Sequence, residues 1–331
     1  MAENQGCGMR AGGQMKASVI VLAWNGREYL EACLSAVFAQ DYPDFEVIVV
    51  DNGSTDGSAD FVAERFPQAR LIRNERNLGF AAGNNVGLRA ATGDVLVLLN
   101  QDTQVRPGWL GALLSAFDDE TVGIAGCKIL YPDGRTLQHA GGYFEWPSGL
   151  SFHYGGNEED QGQYDTVREV GYVTGAAMGI RRAVLETVGW LDEDFFPGYF
   201  EDTDLCYRAR AAGYKVLYIP SAVLVHHESA SFARTSVGKP YSVFRGRWRF
   251  ILKHFTPQQV ISEFIPFQKS RLPVMGKIEL RALVLSAVDA LLFWPAIAQS
   301  RCLGSQDTSV VIEEVRSLLD EAVLQERKTF S

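Results

Sequence analysis

The sequence predicts an α/β protein, with a mostly parallel, Rossmann-like sheet flanked by helices and a helical C-terminal extension. Three observations lead to this prediction. Short apolar runs alternate with segments of helical spacing through the first half of the chain. These runs are apolar throughout, as strands buried on both faces should be. After residue 228 the chain becomes basic, aromatic and helical in pattern.

Five strands and four helices are predicted before residue 126. The strands are expected at Ser18–Ala23, Val47–Val50, Arg70–Ile72, Val95–Leu99 and Val122–Ala125. Helices are predicted between them, at Glu28–Ala39, Ala59–Phe66, Ala81–Ala91 and Pro107–Phe117. Strands that alternate with helices of this length are typical of βαβ units and a mostly parallel sheet.

The pattern loosens in the middle of the chain. Tyr131–Glu169 is rich in Gly, Asp and aromatic residues and predicts a long irregular excursion, of the kind that often carries function. Compact elements are expected to resume at Gly171–Arg181 and Glu201–Ala212, with a strand at Lys215–Ile219. We therefore expect a disordered leader over residues 1–15, a main domain over 16–228 and a helical region over 229–331.

Composition and charge exclude several classes of protein. With 47% apolar and 21% charged residues, the chain is an ordinary globular protein and not a disordered, collagenous or coiled-coil one. The formal net charge of −9 argues against general affinity for nucleic acid. That average conceals a split, because residues 229–281 hold ten Lys or Arg against two Glu, a local +8, and the remainder carries −17.

The sequence also indicates where the protein works. Five scattered cysteines without a CxxC pair favour a reducing compartment, so a cytoplasmic location is expected. Residues 1–15 lack an apolar core and do not suit a secretory signal, and Met15 is an alternative start. The most apolar stretch, Ala282–Ala298, is interrupted by Asp289 and Pro295, so we expect no membrane-spanning helix.

Polar segments come directly after three of the predicted strands, at Trp24-Asn25, Asp51 to Asp56, and Asn100-Gln101-Asp102. Because the carboxyl ends of parallel strands meet at one edge of a sheet, we expect a ligand site there, although Asp51 to Asp56 alone would also suit a turn and a helix cap. The chain has neither GxGxxG after the first strand nor GxxxxGK[ST], which argues against dinucleotide and P-loop sites. A phosphate-bearing ligand would then need another counter-charge, and Asp102 could hold Mg²⁺ or Mn²⁺.

Two further clusters could carry chemistry. Glu201, Asp202 and Asp204 open a predicted helix, where acids complement the helix dipole. A carboxylate within the surrounding aromatic residues would also have a raised pKa and could act as a base. His226 and His227 come after an apolar run. Adjacent strand side chains point in opposite directions, so at most one of them faces a site, and a lone histidine is more often structural.

Five segments in order resemble glycosyltransferase family 2, most closely its rhamnosyltransferase-like branch, over roughly Lys16–His254. They are Val19 to Asn25, Val49 to Ser58, Asn74 to Phe80, Leu98 to Thr103, and Phe200 to Cys206. Each segment alone is a weak signal, but the ordered set is specific. The resemblance implies a GT-A fold, a nucleotide-diphosphate sugar donor, Mg²⁺ or Mn²⁺, and inversion at the anomeric carbon. It makes residues 16–130 the nucleotide-sugar half and residues 131–228 the acceptor half of a catalytic domain.

Carried over position by position, the resemblance implies a donor site in which Asp51 accepts from the pyrimidine N3–H. The donor-binding residues would be Ala23, Trp24, Asn25, Asp51, Ser54, Asp56, Asn77, Gly79, Asn84, Asn100 and Gln101. Asp102 matches the metal-binding acid of the DxD motif, and His226 matches the later metal-binding histidine. Asn100 departs from the first Asp of that motif.

The resemblance also implies the reacting groups and the partners. Asp202 matches the catalytic base of the "ED" motif, beside Glu201, and the acceptor pocket would include Thr174, Gly175, Ala176 and Trp190. The expected partners are the nucleotide-diphosphate sugar, a saccharide or polyprenyl-linked acceptor and, as an open alternative, further copies of the chain. The branch favours dTDP-L-rhamnose as donor, with UDP-galactofuranose or UDP-GlcNAc as the alternative.

Three rival functions have less support. A nucleotide-sugar pyrophosphorylase would need a Gly-rich, basic loop after the first strand, where this chain has Trp24-Asn25-Gly26-Arg27-Glu28. A non-catalytic nucleotide-sugar-binding module would not need the acids at positions 102, 201 and 202. A processive synthase would carry membrane spans and a QxxRW motif, which Phe244-Arg245-Gly246-Arg247-Trp248 matches only at its Arg-Trp end.

The basic C-terminal region allows two interpretations. Its cations Arg234, Lys239, Arg245, Arg247, Arg249 and Lys253 interleave with the aromatic residues Tyr241, Phe244, Trp248, Phe250 and Phe255. They could form a solvated helix face over a packed aromatic stripe. Alternatively, they could meet anionic headgroups or a polyprenyl diphosphate, which would make the protein peripheral on the inner face of the membrane.

Overall fold

The computed structural model describes residues 15–227 and 238–330. The expected leader, apart from Met15, and the stretch that includes Arg234 lie outside the described residues. Within them, the strands are β1 Ala17–Ala23, β2 Phe45–Asp51, β3 Arg70–Arg73, β4 Val95–Asn100, β5 Thr103–Val105, β6 Val122–Leu130, β7 Leu137–His139, β8 Gly142–Glu145, β9 Leu150–His153, β10 Arg168–Glu169, β11 Ala177–Arg181 and β12 Lys215–His226.

The helices fall into two groups. Those between the strands are α1 Arg27–Phe38, α2 Ser58–Arg65, α3 Phe80–Ala90, α4 Trp109–Leu114, α5 Arg182–Val188 and α6 Glu201–Ala211. Those after the sheet are α7 Gly238–His254, α8 Pro257–Gln259, α9 Ile265–Arg271, α10 Lys277–Ser300 and α11 Ser305–Phe330. A π-helical turn, Val260–Phe264, joins α8 to α9.

One mixed sheet organises the first two thirds of the chain. Its main path runs β10-β12-β6-β11-β4-β1-β2-β3. Strands β1, β2, β3 and β4 are parallel to one another, and β12 is parallel to β6. Strand β11 is antiparallel to both β4 and β6, which leaves those two pointing the same way. The amino end of β11 therefore lies at the same sheet edge as the carboxyl ends of its neighbours.

The central strands are buried on both faces, as their apolar sequences predict. Side chains alternate across a strand, so each strand contributes to two cores. Val19 of β1 packs in one core with Leu34 of α1, whereas Ile20 packs in the other with Leu88 of α3 and Leu205 of α6. This arrangement is a mostly parallel sheet between two helical layers, and the predicted fold class is confirmed.

The structure departs from the predicted elements in three ways. Strands β6 and β12 continue beyond their predicted ends, and strand β5 and helix α5 were not predicted. The predicted irregular excursion contains β7, β10 and a separate β8–β9 hairpin. Strands of two to four residues carry too little periodicity to be recognised in a sequence.

The C-terminal helices share a third hydrophobic core with the part of the chain that forms the sheet. Trp248 and Phe250 of α7 are fully buried there beside Phe195 and Phe200, which lie on either side of a turn before α6. The β8–β9 hairpin joins this core, where Trp146 stacks on Phe255 with ring centroids 4.3 Å apart. Residues from both sides of position 229 therefore form one packed unit.

Cations of α7 pair with acids in the part of the chain that forms the sheet. Arg249 Nη2 lies 2.6 Å from Asp194 Oδ2, and Lys253 Nζ lies 2.8 Å from carboxylate oxygens of both Asp192 and Asp204. The expectation that Arg249 and Lys253 face solvent or headgroups is wrong, because these side chains are mostly buried against acids.

The two other α7 arginines that were expected at a solvent or lipid interface point inward as well. Arg245 Nη1 donates to the carbonyls of Asp194, at 2.9 Å, and Phe196, at 2.6 Å. Arg247 is buried, and its guanidinium donates to Gln268 at 2.7 Å. Burial lowers the pKa of Arg247 to about 9. The basic face of α7 is therefore an internal contact.

Among the described residues, helix α10 is long and apolar enough to cross a membrane by length and composition, although the sequence predicted no such helix. Within its most apolar window, 44% of the helix is buried inside the protein. The buried side packs against α7 and α11. Length and composition alone do not distinguish this helix from the core helix of a globular protein.

We predict that Gly246→Ala lowers the free energy of unfolding by about 1–3 kcal/mol, the range typical of overpacking. A Cβ at this position would lie 2.5 Å from the Tyr199 carbonyl oxygen, so α7 would have to move off the turn before α6. The measurement is chemical denaturation of both proteins.

Gly111→Ala in α4 is the matched control, because the nearest atom to its added Cβ is Tyr42 Cδ2 at 4.0 Å. This variant should be neutral or more stable by up to about 1 kcal/mol, since alanine favours helix. Equal effects of the two substitutions would contradict close packing of α7 on Tyr199.

Candidate active site

A cavity of about 800 Å³ opens at the edge of the sheet where the parallel strands end. Its walls come from both halves of the catalytic domain and from α7. Twelve of the residues expected from the sequence line it, including Glu201; the other eleven are Trp24, Asn77, Gly79, Asn100, Gln101, Asp102, Thr174, Gly175, Ala176, Asp202 and His226. The residues predicted at the strand ends and those of the "ED" segment therefore line the same cavity.

Gln101 fixes the turn after β1. Its Oε1 accepts from the Trp24 backbone N–H at 3.0 Å, and its Nε2 donates to the Trp24 carbonyl at 3.0 Å. A Cβ on Gly26 would lie 2.2 Å from the Gln101 side chain, so glycine is needed there. Gln101 therefore shapes the cavity wall through Trp24, and the oxygen and nitrogen of its side-chain amide are already paired with protein.

Asp51 ends β2 and keeps one carboxylate oxygen unpaired. It is 4% exposed, and its Oδ2 accepts weakly from the Ser54 N–H at 3.3 Å. Its Oδ1 is buried without a hydrogen-bond partner. Buried polar atoms are rarely left unpaired, so this oxygen could accept a hydrogen bond from a ligand that reaches past the cavity lining, to which Asp51 itself does not belong.

Other residues expected to bind donor have partners within the protein. Asn25 Oδ1 accepts from the Thr55 N–H at 2.8 Å, and Ser54 Oγ accepts from the Asn25 N–H at 3.0 Å. Asp56 accepts from the N–H groups of Arg27 and Ser58. Asn25 and Asp56 line a second, shallow pocket beside the main cavity.

Two more expected donor residues lie away from the main cavity lining. Ala23 is buried in the core under the sheet edge. Asn84 is 1% exposed, and its Nδ2 donates to the Phe80 carbonyl one turn earlier in α3. Both residues lie behind the residues that line the cavity.

Asn52 organises the loop before α3, and the sequence analysis did not identify it. Its Nδ2 donates to Asn77 Oδ1 at 2.9 Å, and its Oδ1 accepts from Asn74 and from the Leu78 N–H. Asn77 Oδ1 also accepts from the Gly79 N–H at 2.8 Å. In the sequence, the available signal was an Asn directly after the strand that ends at Asp51. An amide buried at such a position must satisfy four hydrogen-bonding sites and so contacts several groups of the loop.

Asp102 and His226 lie side by side in the cavity. Asp102 Oδ1 is 3.2 Å from His226 Nε2, and Asn100 Nδ2 is 3.3 Å from the same nitrogen. Burial raises the pKa of Asp102, but the hydrogen bond and charge of His226 outweigh burial and the net pKa is lowered. Asp102 therefore stays a carboxylate. Strand pairing brings these groups together, because β5 pairs with the end of β12.

Gln138 orients His226, and no motif in the sequence indicated this contact. Gln138 Oε1 lies 2.6 Å from His226 Nδ1. Because a carboxamide oxygen only accepts, Nδ1 carries a proton in this contact, which directs Nε2 towards Asp102. The excursion after β6 thus supplies a partner for the histidine.

These residues suit a divalent cation. Within the described residues no group of three or more His, Cys, Asp or Glu could hold a metal. The site instead offers one carboxylate, one imidazole nitrogen and the Asn100 amide, which could present its oxygen after rotation. Mg²⁺ or Mn²⁺ sites of one or two protein ligands are usually completed by substrate phosphates and water. The donor set therefore fits a metal that binds together with a diphosphate.

Asp202 is held at the start of α6 with both carboxylate oxygens bonded. Its Oδ2 accepts from the Gly175 N–H at 2.9 Å, and its Oδ1 accepts from the Thr203 N–H at 2.6 Å. The residue after Gly175, Ala176, accepts from the Asn100 N–H at 3.0 Å through its carbonyl. The segment before β11 therefore links Asp202 directly to the Asn100–Asp102 segment.

Glu201 lies behind Asp202 and is 5% exposed. Its Oε2 is buried without a hydrogen-bond partner. Burial, with the charge of Asp202 in second place, raises the pKa of Glu201 well above its ordinary value. The raised pKa of Glu201 favours its neutral form.

The turn before α6 is strained. Tyr199 and Phe200 have φ of +79° and +75°, values that residues other than glycine rarely adopt. Consecutive residues of this kind cost about 1–3 kcal/mol each and persist only when their surroundings enforce them. The third hydrophobic core holds both aromatic side chains here. Packing of the C-terminal helices therefore sets the direction in which Glu201 and Asp202 enter the site.

The cavity wall that was expected to bind the acceptor contains residues that the sequence analysis missed. The β8–β9 hairpin and the segments after it contribute Ser151, Phe152, His153, Asn157 and Tyr172 to the cavity. Helix α7 contributes Lys239 and Val243. The Gly- and aromatic-rich composition of Tyr131–Glu169 was the signal for this wall. Trp190 lies outside the cavity, with its ring against the Arg89 guanidinium.

Similarity to known proteins agrees with this geometry. The profile described as "Glycosyl transferase family 2" matches residues 18–189. The O-antigen biosynthesis protein RfbC of Myxococcus xanthus is 34% identical over 235 residues, which are 66% of this chain and 18% of that protein. The uncharacterized protein y4gI of Sinorhizobium fredii is 33% identical over 69% of this chain and 26% of its own length. The chain thus spans about a quarter or less of these two relatives.

A third relative is matched over most of its length. The N-acetylglucosaminyl-diphospho-decaprenol L-rhamnosyltransferase of Mycobacterium tuberculosis is 29% identical over 244 residues, 65% of this chain and 77% of that protein.

Solved structures share the fold at low identity. The TarS fragment 1–349 of S. aureus in complex with UDP-GlcNAc has a TM-score of 0.60 at 19% identity, covering 95% of this chain and 91% of that one. The mannosyltransferase PcManGT of Pyrobaculum calidifontis, in complex with GDP-Man and Mn²⁺, has a TM-score of 0.55 at 19% identity, with 97% and 89% covered. The fold is GT-A, and the chain belongs to glycosyltransferase family 2.

Proposed function

We propose that this glycosyltransferase moves a sugar from a nucleotide-diphosphate donor to a hydroxyl of a saccharide or polyprenyl-linked saccharide, with inversion at the anomeric carbon. One observation carries the proposal. Asp202 accepts a hydrogen bond from the Gly175 N–H and lines the same cavity as the Asp102–His226 pair. One carboxylate base and one diphosphate-binding site are the groups that a single displacement requires.

In this reaction the acceptor oxygen attacks the anomeric carbon as Asp202 takes the hydroxyl proton. The bond between the anomeric carbon and the phosphate oxygen breaks, and the nucleoside diphosphate leaves with that electron pair. Gly175 and Thr203 fix the base through hydrogen bonds of 2.9 and 2.6 Å. A divalent cation held by Asp102 and His226, with Asn100, would neutralise charge on the leaving diphosphate.

For the donor, we propose a pyrimidine nucleotide whose N3–H is accepted by Asp51 Oδ1. The buried, unpaired state of this oxygen supports the assignment. We favour dTDP-L-rhamnose, because a relative matched over 77% of its length is named as a rhamnosyltransferase. A UDP-sugar is the alternative, since thymine and uracil share the N3–H. Thermal shifts with a panel of nucleotide sugars, followed by transfer assays, would separate the two.

For the setting, we propose a reducing compartment, the cytoplasm, because Cys33, Cys127 and Cys206 are buried and free and Cys302 is free on the surface. An acceptor carried on polyprenyl diphosphate would place the reaction at the membrane surface. A test of this acceptor class is transfer to a soluble saccharide compared with transfer to the same saccharide on a lipid diphosphate.

We predict that Asp202→Asn reduces transfer at least ~100-fold, as expected for loss of a general base. Nucleotide binding should be retained, because Asn can still accept from the Gly175 N–H. Initial rates of transfer and calorimetry with the nucleoside diphosphate measure the two effects. Near-normal turnover of the variant would remove Asp202 as the base.

We predict that Gln138→Leu weakens Mn²⁺-dependent binding of nucleoside diphosphate about 10–100-fold, the range found when the partner of a metal-binding histidine is lost. Without the Gln138 oxygen, His226 loses the 2.6 Å contact that fixes its ring. Calorimetry with and without Mn²⁺ is the measurement, and Asp102→Ala should abolish the metal dependence.

Gln138→Glu is the control, because it keeps an oxygen acceptor for His226 Nδ1 and should bind nearly as the wild type does. Wild-type affinity in Gln138→Leu would show that Gln138 does not position the histidine.

We predict that Lys239→Gln weakens binding of nucleoside diphosphate about 10-fold or more, since a hydrogen bond to a charged group contributes about 1.5–3 kcal/mol. Among the described residues that line the cavity, Lys239 is the one Lys or Arg. Binding of the uncharged nucleoside should not change, and Arg316→Gln on the surface of α11 is the control for loss of one positive charge. An equal loss of affinity for nucleoside and nucleoside diphosphate would argue against contact with phosphate.

A further inference from the structure

Helix α10 exposes an apolar face. Leu285, Val288 and Leu292 are 45%, 41% and 76% exposed, and their spacing of three and four residues places them on one side of the helix. Ile278, one heptad before Leu285, and Val274, just before the helix, are also exposed. Large apolar side chains clustered on one surface mark an interaction site more often than scattered ones do.

The opposite side of α10 is already packed. Leu283, Ala287, Ala290 and Trp294 are buried in the third hydrophobic core against α7 and α11. This half of the helix is held by protein, so α10 cannot be surrounded by lipid without dismantling that core. The exposed side of α10 could therefore lie on the surface of a membrane, but the helix is not available to span one.

The charges beside the apolar face are basic. Arg271, Lys277 and Arg281 are exposed at the end of α9 and on the first turns of α10. Of the two acids of α10, Asp289 pairs with Arg245 at 3.4 Å, whereas Glu279 is exposed and accepts from the Gly276 N–H, so the start of the helix presents three cations and one acid. The surface thus combines an apolar stripe with a cationic end in a chain whose net charge is −9.

We propose that this α10 face is a peripheral binding surface for an anionic lipid bilayer. Leu285, Val288 and Leu292 would enter the boundary between headgroups and acyl chains, while the basic residues at the start of the helix contact lipid phosphates. The inference goes beyond the proposed transfer reaction and does not depend on the donor sugar.

A bilayer fits this surface better than a second copy of the chain does. Pairing of two α10 faces would match the apolar stripes but would place the basic residues of each copy opposite either the same basic residues or the last turns of α10, which hold no acid after Asp289. A bilayer that contains anionic lipid supplies both an apolar layer and negative charge.

The test is co-sedimentation of the full chain with phosphatidylcholine vesicles, with and without phosphatidylglycerol. We expect binding that requires phosphatidylglycerol and weakens with salt. Leu285→Gln with Leu292→Gln should lower the partition coefficient at least roughly 10-fold, through lost apolar burial. Arg271→Gln, Lys277→Gln and Arg281→Gln together should lower it roughly 100-fold.

Val167→Gln is the matched control, because Val167 is an exposed apolar residue of the catalytic domain and its loss should leave vesicle binding unchanged. Circular dichroism and nucleotide binding establish that each variant is folded, and they report on the transfer site independently of the membrane.

Two results would overturn the proposal. One is vesicle binding that is absent, indifferent to phosphatidylglycerol, or unchanged in both α10 variants. The other is a dimer in size-exclusion chromatography with light scattering that the leucine variants dissociate, which would assign the face to a second copy.

Discussion

The structure depends on how one buried carboxylate is neutralised. Asp204 of α6 is fully buried, and its oxygens lie 2.8 Å from Arg208 Nε, 2.7 Å from His254 Nε2 and 2.8 Å from Lys253 Nζ. Burial would raise the pKa of Asp204, but His254, Arg208 and Lys253 together lower it well below its ordinary value. An ion buried without partners would cost several kcal/mol, and two of the three partners of Asp204, Lys253 and His254, come from α7, so packing of α7 stabilises α6 in this position.

This constraint connects the C-terminal helices to catalysis. Asp202 precedes Asp204 by two residues, so the contact that fixes Asp204 also fixes the first turn of α6. Gly246 allows α7 to approach the strained Tyr199–Phe200 turn, and Arg245 holds the carbonyls just before that turn. The sheet edge places the groups proposed to bind metal and nucleotide, whereas α7 sets the position of the proposed base. Four of the ten cations in residues 229–281, namely Arg245, Arg247, Arg249 and Lys253, join these two parts.

Local sequence patterns predicted the fold class, the family and twelve of the residues that line the cavity. Apolar runs such as Ser18–Ala23 and the ordered motifs around Asp102 and Asp202 were sufficient for these predictions. Contacts between distant segments were not predictable, because no periodicity encodes them. Gln138 beside His226 depends on the path of a long excursion, and the pairing of Lys253 with Asp204 joins segments that are 49 residues apart.

A double-mutant cycle between Asp204 and Lys253 would show whether α7 positions the first turn of α6. Unfolding free energies would be measured for Asp204→Asn, Lys253→Met and the double variant, together with transfer rates. We expect a coupling energy of about 1–3 kcal/mol and a loss of transfer in each single variant, because the first turn of α6 loses its partner on α7. Additive effects within about 0.5 kcal/mol, with transfer unchanged, would contradict this role of α7.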